Sequence, residues 1–329
     1  MKFIINLFVV ASLNFFVVKG QKDVVDFVQM PEVSNSMASE YLKPLAQMMN
    51  SNLKSGWYTT AKTHRFMGFD VDLNFSVTQT PTNKRGYYLS EIPDFNQYYT
   101  VKDGSFSIAA NVAGVTNSNP EVKSKENGRE VLLPKGESVD RLSLPVITGG
   151  IGLPYNTEIR LKLMPYLNKS DIGKVSQYGL GIKHGIKDYI PVLEDIPTLS
   201  LSVFGAYSFA SNTLDVEYPS AVSSNQLLKG VVSGYSGKLL VGIDVPVLSA
   251  YMGIGYGSTN VDYNLKGLYF VGDVNLEQEE QDPISVSYKY GEFQFDIGVK
   301  AKLGFVDLFV GYTPGEYGTF NIGAGVAFR

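Results

Sequence analysis

The residues of this chain whose types and spacing could do chemistry are two histidines, a pair of strand-borne aspartates and two glycine runs. His64 and His184 lie in separate segments, and neither has a partner at HxxxH spacing, so no histidine-based metal centre is formed by pattern. His184 could serve as the base of a lipid-modifying serine hydrolase, but no GxSxG elbow singles out a nucleophile. It follows Tyr178, Leu180 and Ile182 on an outward row near a strand end, which suits an interfacial residue; His64 reads as a surface or packing residue. Asp70 and Asp72 share one face of one strand. Paired carboxylates can divide acid–base work or bind calcium, and on a barrel wall they supply polarity. The GIGYG run at Gly253–Gly257 and the GAG at Gly323–Gly325 precede no helix, so they are not phosphate cradles. Glycines on the inward face of strands leave space for a plug or permit curvature. These patterns assign no catalytic residue, no metal ligand and no cofactor; the protein reads as a non-enzyme, and its ligand-binding residues are not identified.

The elements that must carry these residues are strands. Thr319–Arg329 alternates Phe320, Ile322, Ala324, Val326 and Phe328 against small or polar residues, a period of two that puts the apolar set on one face. The pattern recurs at Phe69–Val77, Ser105–Val112, Glu158–Leu163, Leu199–Phe209, Tyr235–Ile243, Leu248–Tyr256 and Phe293–Val299. Many segments run about nine to eleven residues, the length a tilted membrane-crossing strand needs, against five or six in soluble sheets. Opposite the apolar rows fall Asp70, Asp72, Glu158, Arg160, Lys162, Lys238, Asp296 and Lys300. A soluble sandwich would need a second layer over every apolar row, whereas lipid covers them all. The reading is an all-β, transmembrane antiparallel β-barrel of about 12–14 strands over residues 63–329. Its candidate lumen-lining residues are Asp70, Asp72, Arg160, Lys162, Lys238, Asp296 and Lys300, and the interior they predict is wet. Long polar segments at Asn117–Arg141, Ser211–Leu228 and Asn275–Pro283 alternate with tight turns at Asp244–Pro246 and Pro314–Glu316, as in outer-membrane barrels.

Composition agrees. The formal charge is −4, which leaves no basic excess for nucleic acid. Tyrosine (21) and phenylalanine (19) abound while tryptophan occurs once, so an aromatic girdle must be built from Tyr and Phe. Cysteine is absent, which excludes a lipoprotein anchor, disulfides and thiol chemistry. Residues 1–20 read as a cleaved secretory signal peptide: Lys2, then an apolar run, then Gly20 before Gln21. Residues 21–62 form an N-terminal helical segment in which Leu42, Leu45, Ala46, Met49 and Leu53 make one apolar stripe. Pro44 belongs in a first turn, so the helix is expected to start near Tyr41 or Leu42 and to stop at Gly56. This helix would plug the barrel or lie on its rim.

Two stretches, EYLKPLAQMMNSNLKSGWYTTAKTHRFMG (Glu40–Gly68) and GLGIKHGIKDYIPVLEDIPTLSLSVFGAYSF (Gly179–Phe209), resemble an uncharacterised Bacteroidetes family of outer-membrane barrels that is distantly similar to FadL-type fatty-acid transporters. The resemblance implies a barrel with an N-terminal helical segment and a helical insertion at Lys187–Ile196. It also implies passage of hydrophobic compounds through a plugged barrel with a lateral wall opening. The expected function is therefore a Gram-negative outer-membrane channel or transporter for small molecules, hydrophobic ones included. Its expected partners are outer-membrane lipid and lipopolysaccharide, and small hydrophobic ligands. The alternatives are a structural or adhesive barrel that transports nothing, and an outer-membrane lipid-modifying enzyme.

Overall fold

In a computed structural model, residues 22–115, 119–169, 173–216, 226–270 and 279–328 are described. The signal-peptide segment, Arg329 and parts of the three long polar segments lie outside them. The fold is a closed antiparallel barrel of ten strands. In chain order these are β1 (Phe69–Gln79), β2 (Arg141–Leu153), β3 (Thr157–Lys169), β4 (Gly173–Gly185), β5 (Leu199–Asp215), β6 (Leu227–Asp244), β7 (Leu248–Lys266), β8 (Ile284–Leu303), β9 (Val306–Thr313) and β10 (Thr319–Phe328). The terminal strand closes the ring: β10 pairs with β1 from Phe69↔Phe328 to Thr78↔Thr319.

Ten strands replace the expected 12 to 14 for two reasons. β5 to β8 are 17 to 20 residues long, so each absorbs more chain than a bare membrane crossing. The alternating stretch at 105–112 lies outside the barrel: only Ile108–Ala110 forms a strand, paired to Gly86–Tyr88 in a cap over residues 80–115 and 119–140.

The long strands change polarity partway up. In the lower half the outward row is apolar, as in Met252, Ile254 and Tyr256 of β7 and Phe293, Phe295, Ile297 and Val299 of β8. Above it the rows exchange chemistry. Outward come Asn260, Asp262 and Asn264, while Val261, Tyr263 and Leu265 turn inward and are buried. The change is marked by an exposed aromatic row containing Tyr178, Tyr207, Tyr235, Tyr256, Phe293 and Phe320. Tyr207 pairs across the sheet with Tyr235, and Tyr256 with Phe293. Phe69 and Phe328 stack at the other end, with ring centroids 5.0 Å apart. The ten residues of β10 span the interval. At roughly 3.3 Å per residue and a tilt of about 40° they cover about 25 Å, the height of a lipid-facing apolar band. Among the described residues no helix is long and apolar enough to cross a membrane, so strands supply the crossing.

Helix α1 (Ser34–Lys54) runs inside this ring. It begins seven residues before the expected start, with Pro44 in its interior rather than its first turn. Burial on almost every side overrides the local penalty: Met37, Ala38, Tyr41, Leu42, Leu45, Ala46 and Met48 are all buried, a pattern proper to an enclosed helix. Its upper part, the 3₁₀ turn Lys22–Gln29, the cap and the inward apolar rows share one core. Chain direction follows. α1 starts among the long loops, where Asn35 accepts from the Ser285 amide, and residues 55–68 descend to the short-turn end where β1 begins.

Two outcomes test this arrangement. Ile254→Arg, on the lipid-facing row, should destabilise the membrane-inserted barrel by about 2–4 kcal/mol, whereas Asn260→Arg on the same row above the girdle should stay within about 0.5 kcal/mol, read by urea unfolding in vesicles. In the N-terminal turn, burial and then Asp23 push the Asp26 carboxyl up to about 6. A carboxyl raised in the folded state contributes full stability below its unfolded value and loses it as pH rises through about 6. Melting temperature should therefore fall between about pH 4 and about pH 7, and fall less in Asp26→Asn.

Candidate functional site

Residues 52–68 pass through the lower barrel, where they meet the inward polar rows. From Ser55 onward this plug has no regular structure, so its carbonyl oxygens need partners from elsewhere. The wall supplies them as cations. Lys162 Nζ donates to the carbonyls of Asn52, Leu53 and Ser55 at 3.2, 3.2 and 2.7 Å, at the negative end of the helix dipole. Arg160 Nε donates to the Trp57 carbonyl at 2.6 Å. Lys183 Nζ donates to the carbonyls of Thr60 and Lys62, and Lys238 Nζ to that of Lys54. These ammonium and guanidinium groups grip backbone, so the hold is indifferent to most plug side chains.

Carboxylates complete the shell. Arg160 bridges Glu158 and Asp70, the latter at 3.2 Å, with Asp72 at 3.7 Å. His64 Nε2 lies 3.1 Å from Asp70, and the His64 amide donates to Glu158 at 3.0 Å. Lys183 reaches Glu158 at 3.2 Å. A second knot centres on Asp296, which accepts from Lys238, Tyr58 Oη and Thr313 Oγ1, each at 2.6 Å. Lys300 pairs with Asp307 at 3.1 Å, and Asp244 accepts from Thr60, Ser200 and Ser249. Between the two knots, Trp57 and Tyr58 pack on Phe204. The wall makes room for this: a Cβ on Gly179 would stand 2.7 Å from the Trp57 ring, and one on Gly325 1.9 Å from Asp72 Oδ1.

All seven candidate lumen residues point inward and are buried. Asp70, Asp72 and Arg160 are brought together; Lys238 and Asp296 pair; Lys162 and Lys300 stand apart from both knots. They do not face open water, because the plug occupies the space a wet lumen would need. His64 is no surface residue: it is 5% exposed and sits on Asp70. His184 faces outward near its strand end, bound to Thr157 and to Tyr189, on which it stacks. Lys183, Glu292 and Asp307 also line the interior. Lys183 was legible, since Tyr178, Leu180 and Ile182 fix the outward row and leave it on the other; the partner of His64 carries no local signal.

Beside the helix end the wall is incomplete. β8 pairs with β9 only from Ile297↔Tyr312 to Leu303↔Val306, so among the described residues Ile284–Asp296 has no strand on that side. Helix α1 and the turn 314–318 stand in its place. A cavity of about 140 Å³ opens there, lined by Gln47, Ser51, Glu292, Phe293, Thr313 and Tyr317. It leads from Phe293, 84% exposed in the aromatic row, to the Lys54–Glu292 pair at 2.6 Å.

The sequence pattern of one family, a family of unknown function, matches residues 1–328. No curated protein matches. Among solved structures, the chain is similar to Ail, the attachment invasion locus protein of Yersinia pestis, at 10% identity over 80% of this chain and 100% of that one, with a TM-score of 0.28. The translocator domain of the autotransporter NalP from Neisseria meningitidis aligns at 14% identity over 89% and 99%, TM-score 0.33. A deletion mutant of TodX, a monoaromatic hydrocarbon channel, aligns at 8% over 79% and 67%, TM-score 0.27. Scores this low carry nothing about function; the barrel stands on its own closed sheet and apolar band.

The shell makes a graded prediction. Arg160→Met strands Glu158 and Asp70 without their shared cation and should cost about 3–5 kcal/mol in unfolding. Lys162→Met orphans only carbonyls and should cost about 1–3 kcal/mol, with faster amide exchange confined to residues 52–58. Equal midpoints for both variants and wild type would show that the clamp does not hold the plug.

Proposed function

This chain is a member of the DUF6588 family of unknown function, and within it we propose an outer-membrane channel for small amphipathic molecules, held closed by its own N-terminal segment. The observation that carries the reading is the opening between β8 and β9. It lies in the aromatic row, so a molecule dissolved in the outer leaflet reaches the helix end without crossing the aqueous cap. Apolar and polar groups line it together, Phe293 and Tyr317 beside Glu292 and Ser51, which suits a ligand with both characters. The likeness to FadL-type barrels that the two motifs suggest points the same way, toward a plugged barrel with a lateral opening. Passage onward needs the plug to shift, because four wall cations hold its carbonyls.

The filled lumen also favours a second reading, an adhesive barrel that displays the cap formed by residues 80–115 and 119–140 and transports nothing. We read neither form as an enzyme, since the buried acids and bases are engaged with the plug or with one another. A secretory leader at residues 1–20 and the outer membrane of a Gram-negative cell fit both.

Uptake of a lipophilic dye by proteoliposomes separates them. The wild-type barrel should exceed protein-free vesicles, and Ser51→Trp, which fills the opening, should lower the rate about tenfold, equivalent to about 1.4 kcal/mol. Uptake at the protein-free level, both in wild type and after deletion of residues 21–62, would remove transport and leave the adhesive reading.

A further inference from the structure

The links at the short-turn end carry exposed apolar residues where turns are ordinarily polar. Phe66 and Met67 precede β1, Tyr155 joins β2 to β3, Val192 joins β4 to β5, Val247 joins β6 to β7 and Phe305 joins β8 to β9. All six are between 64% and 87% exposed. Two hold unfavourable backbone: Met67 has φ 63° and Tyr155 has φ 61°, in the left-handed region that bulky side chains avoid. In the three-residue link Pro154–Asn156, both Tyr155 and Asn156 have positive φ, a conformation that ordinarily takes Asn or Gly. The tyrosine is placed there at a conformational disadvantage, with its ring turned away from the protein. The rim is continuous with the apolar band, since Phe66 and Met67 lead directly into Phe69.

Inside this rim the barrel mouth is a cavity of about 270 Å³, with basic residues on its wall. Lys62 and Arg65 are exposed there and enter no ion pair among the described residues. Lys187 also lines the mouth and donates to the Ile196 carbonyl at 2.6 Å. The carboxylate lining the mouth, Asp188, is engaged by Asn156. Apolar tips outside and free cations inside are the two layers of a membrane interface: tyrosine and aliphatic groups at the acyl boundary, lysine and arginine at the phosphates.

We propose that the short-turn end is seated in the headgroup zone of the bilayer, and that its cationic mouth binds the phosphate-bearing head of an anionic membrane lipid, with Lys62 and Arg65 as the recognising groups. Arginine suits this task, because its planar fork meets two phosphate oxygens at once. The site is at the opposite end from the β8–β9 opening and stands whether or not the barrel conducts.

Two measurements on the full chain test it. The protein lacks cysteine, so a polarity-sensitive dye on Val192→Cys reports one position in vesicles. It should read an apolar surrounding and be quenched by headgroup-labelled lipid, while the same dye on Asn127→Cys in the cap reads water. Binding is then titrated in zwitterionic micelles with short-chain phosphatidylglycerol, short-chain phosphatidylcholine and inorganic phosphate. Phosphatidylglycerol should bind about tenfold tighter than the other two, and Lys62→Gln/Arg65→Gln should lose about that factor while keeping the heat-modifiable folded form. Inorganic phosphate binding as tightly as phosphatidylglycerol would assign the mouth to a soluble anion and overturn the lipid claim. So would equal affinity for phosphatidylcholine, or an undiminished double variant. A dye at position 192 that reads water would overturn the seating and leave the rim as a protein-docking face.

Discussion

A closed barrel that encloses irregular backbone must satisfy that backbone from its own wall, and here it does so with lysine and arginine. The requirement sets much else. Each inward cation needs a carboxylate or a ring of carbonyls, which places Glu158 and Asp70 around Arg160 and puts Lys162 under the end of α1. The bulk of Trp57 and Tyr58 then needs wall positions without side chains, met by Gly179 and Gly253. An extended segment held this way is rigid without secondary structure, because charge-assisted bonds to carbonyls replace the ladder it lacks.

The second constraint is that one sheet serves two solvents. Below the aromatic row, lipid takes the apolar face and the plug takes the polar one. Above it, water takes the polar face and α1 with the cap takes the apolar one. This explains how far the sequence could be read. Phe69–Val77, Leu199–Phe209 and Phe293–Val299 were legible because lipid imposes strict alternation there. The upper halves were obscured, since Val261, Tyr263 and Leu265 alternate with the same period on the opposite face, and a reader of periodicity sees a new strand.

The candidate site divides along similar lines. The inward row could be assigned residue by residue, Asp70 to Lys300, because an outward row fixes its complement. What these residues touch could not, since Arg160 and Trp57 are distant in sequence and meet only through closure. The expectation of a wet interior failed for the same reason: alternation shows that a face is polar and is silent on whether water or another part of the chain meets it. Pro44 misplaced the helix start because a local rule yields when the surrounding core is large.

The direction of α1 bears on how the molecule is made. The helix begins among the long loops and residues 55–68 reach the short-turn end, so the N-terminal arm runs the height of the cylinder before the first strand starts. The seam that completes the cylinder joins β1, directly after that arm, to β10, the last strand of the chain. The arm is gripped by buried cations from Asn52 to Lys62 and shares its upper core with the cap that follows β1, so the finished cylinder encloses it at both levels. The arm is thus the mandrel of the hoop: the seam between the first and last strands closes a cylinder whose inner dimensions are those of the segment it surrounds.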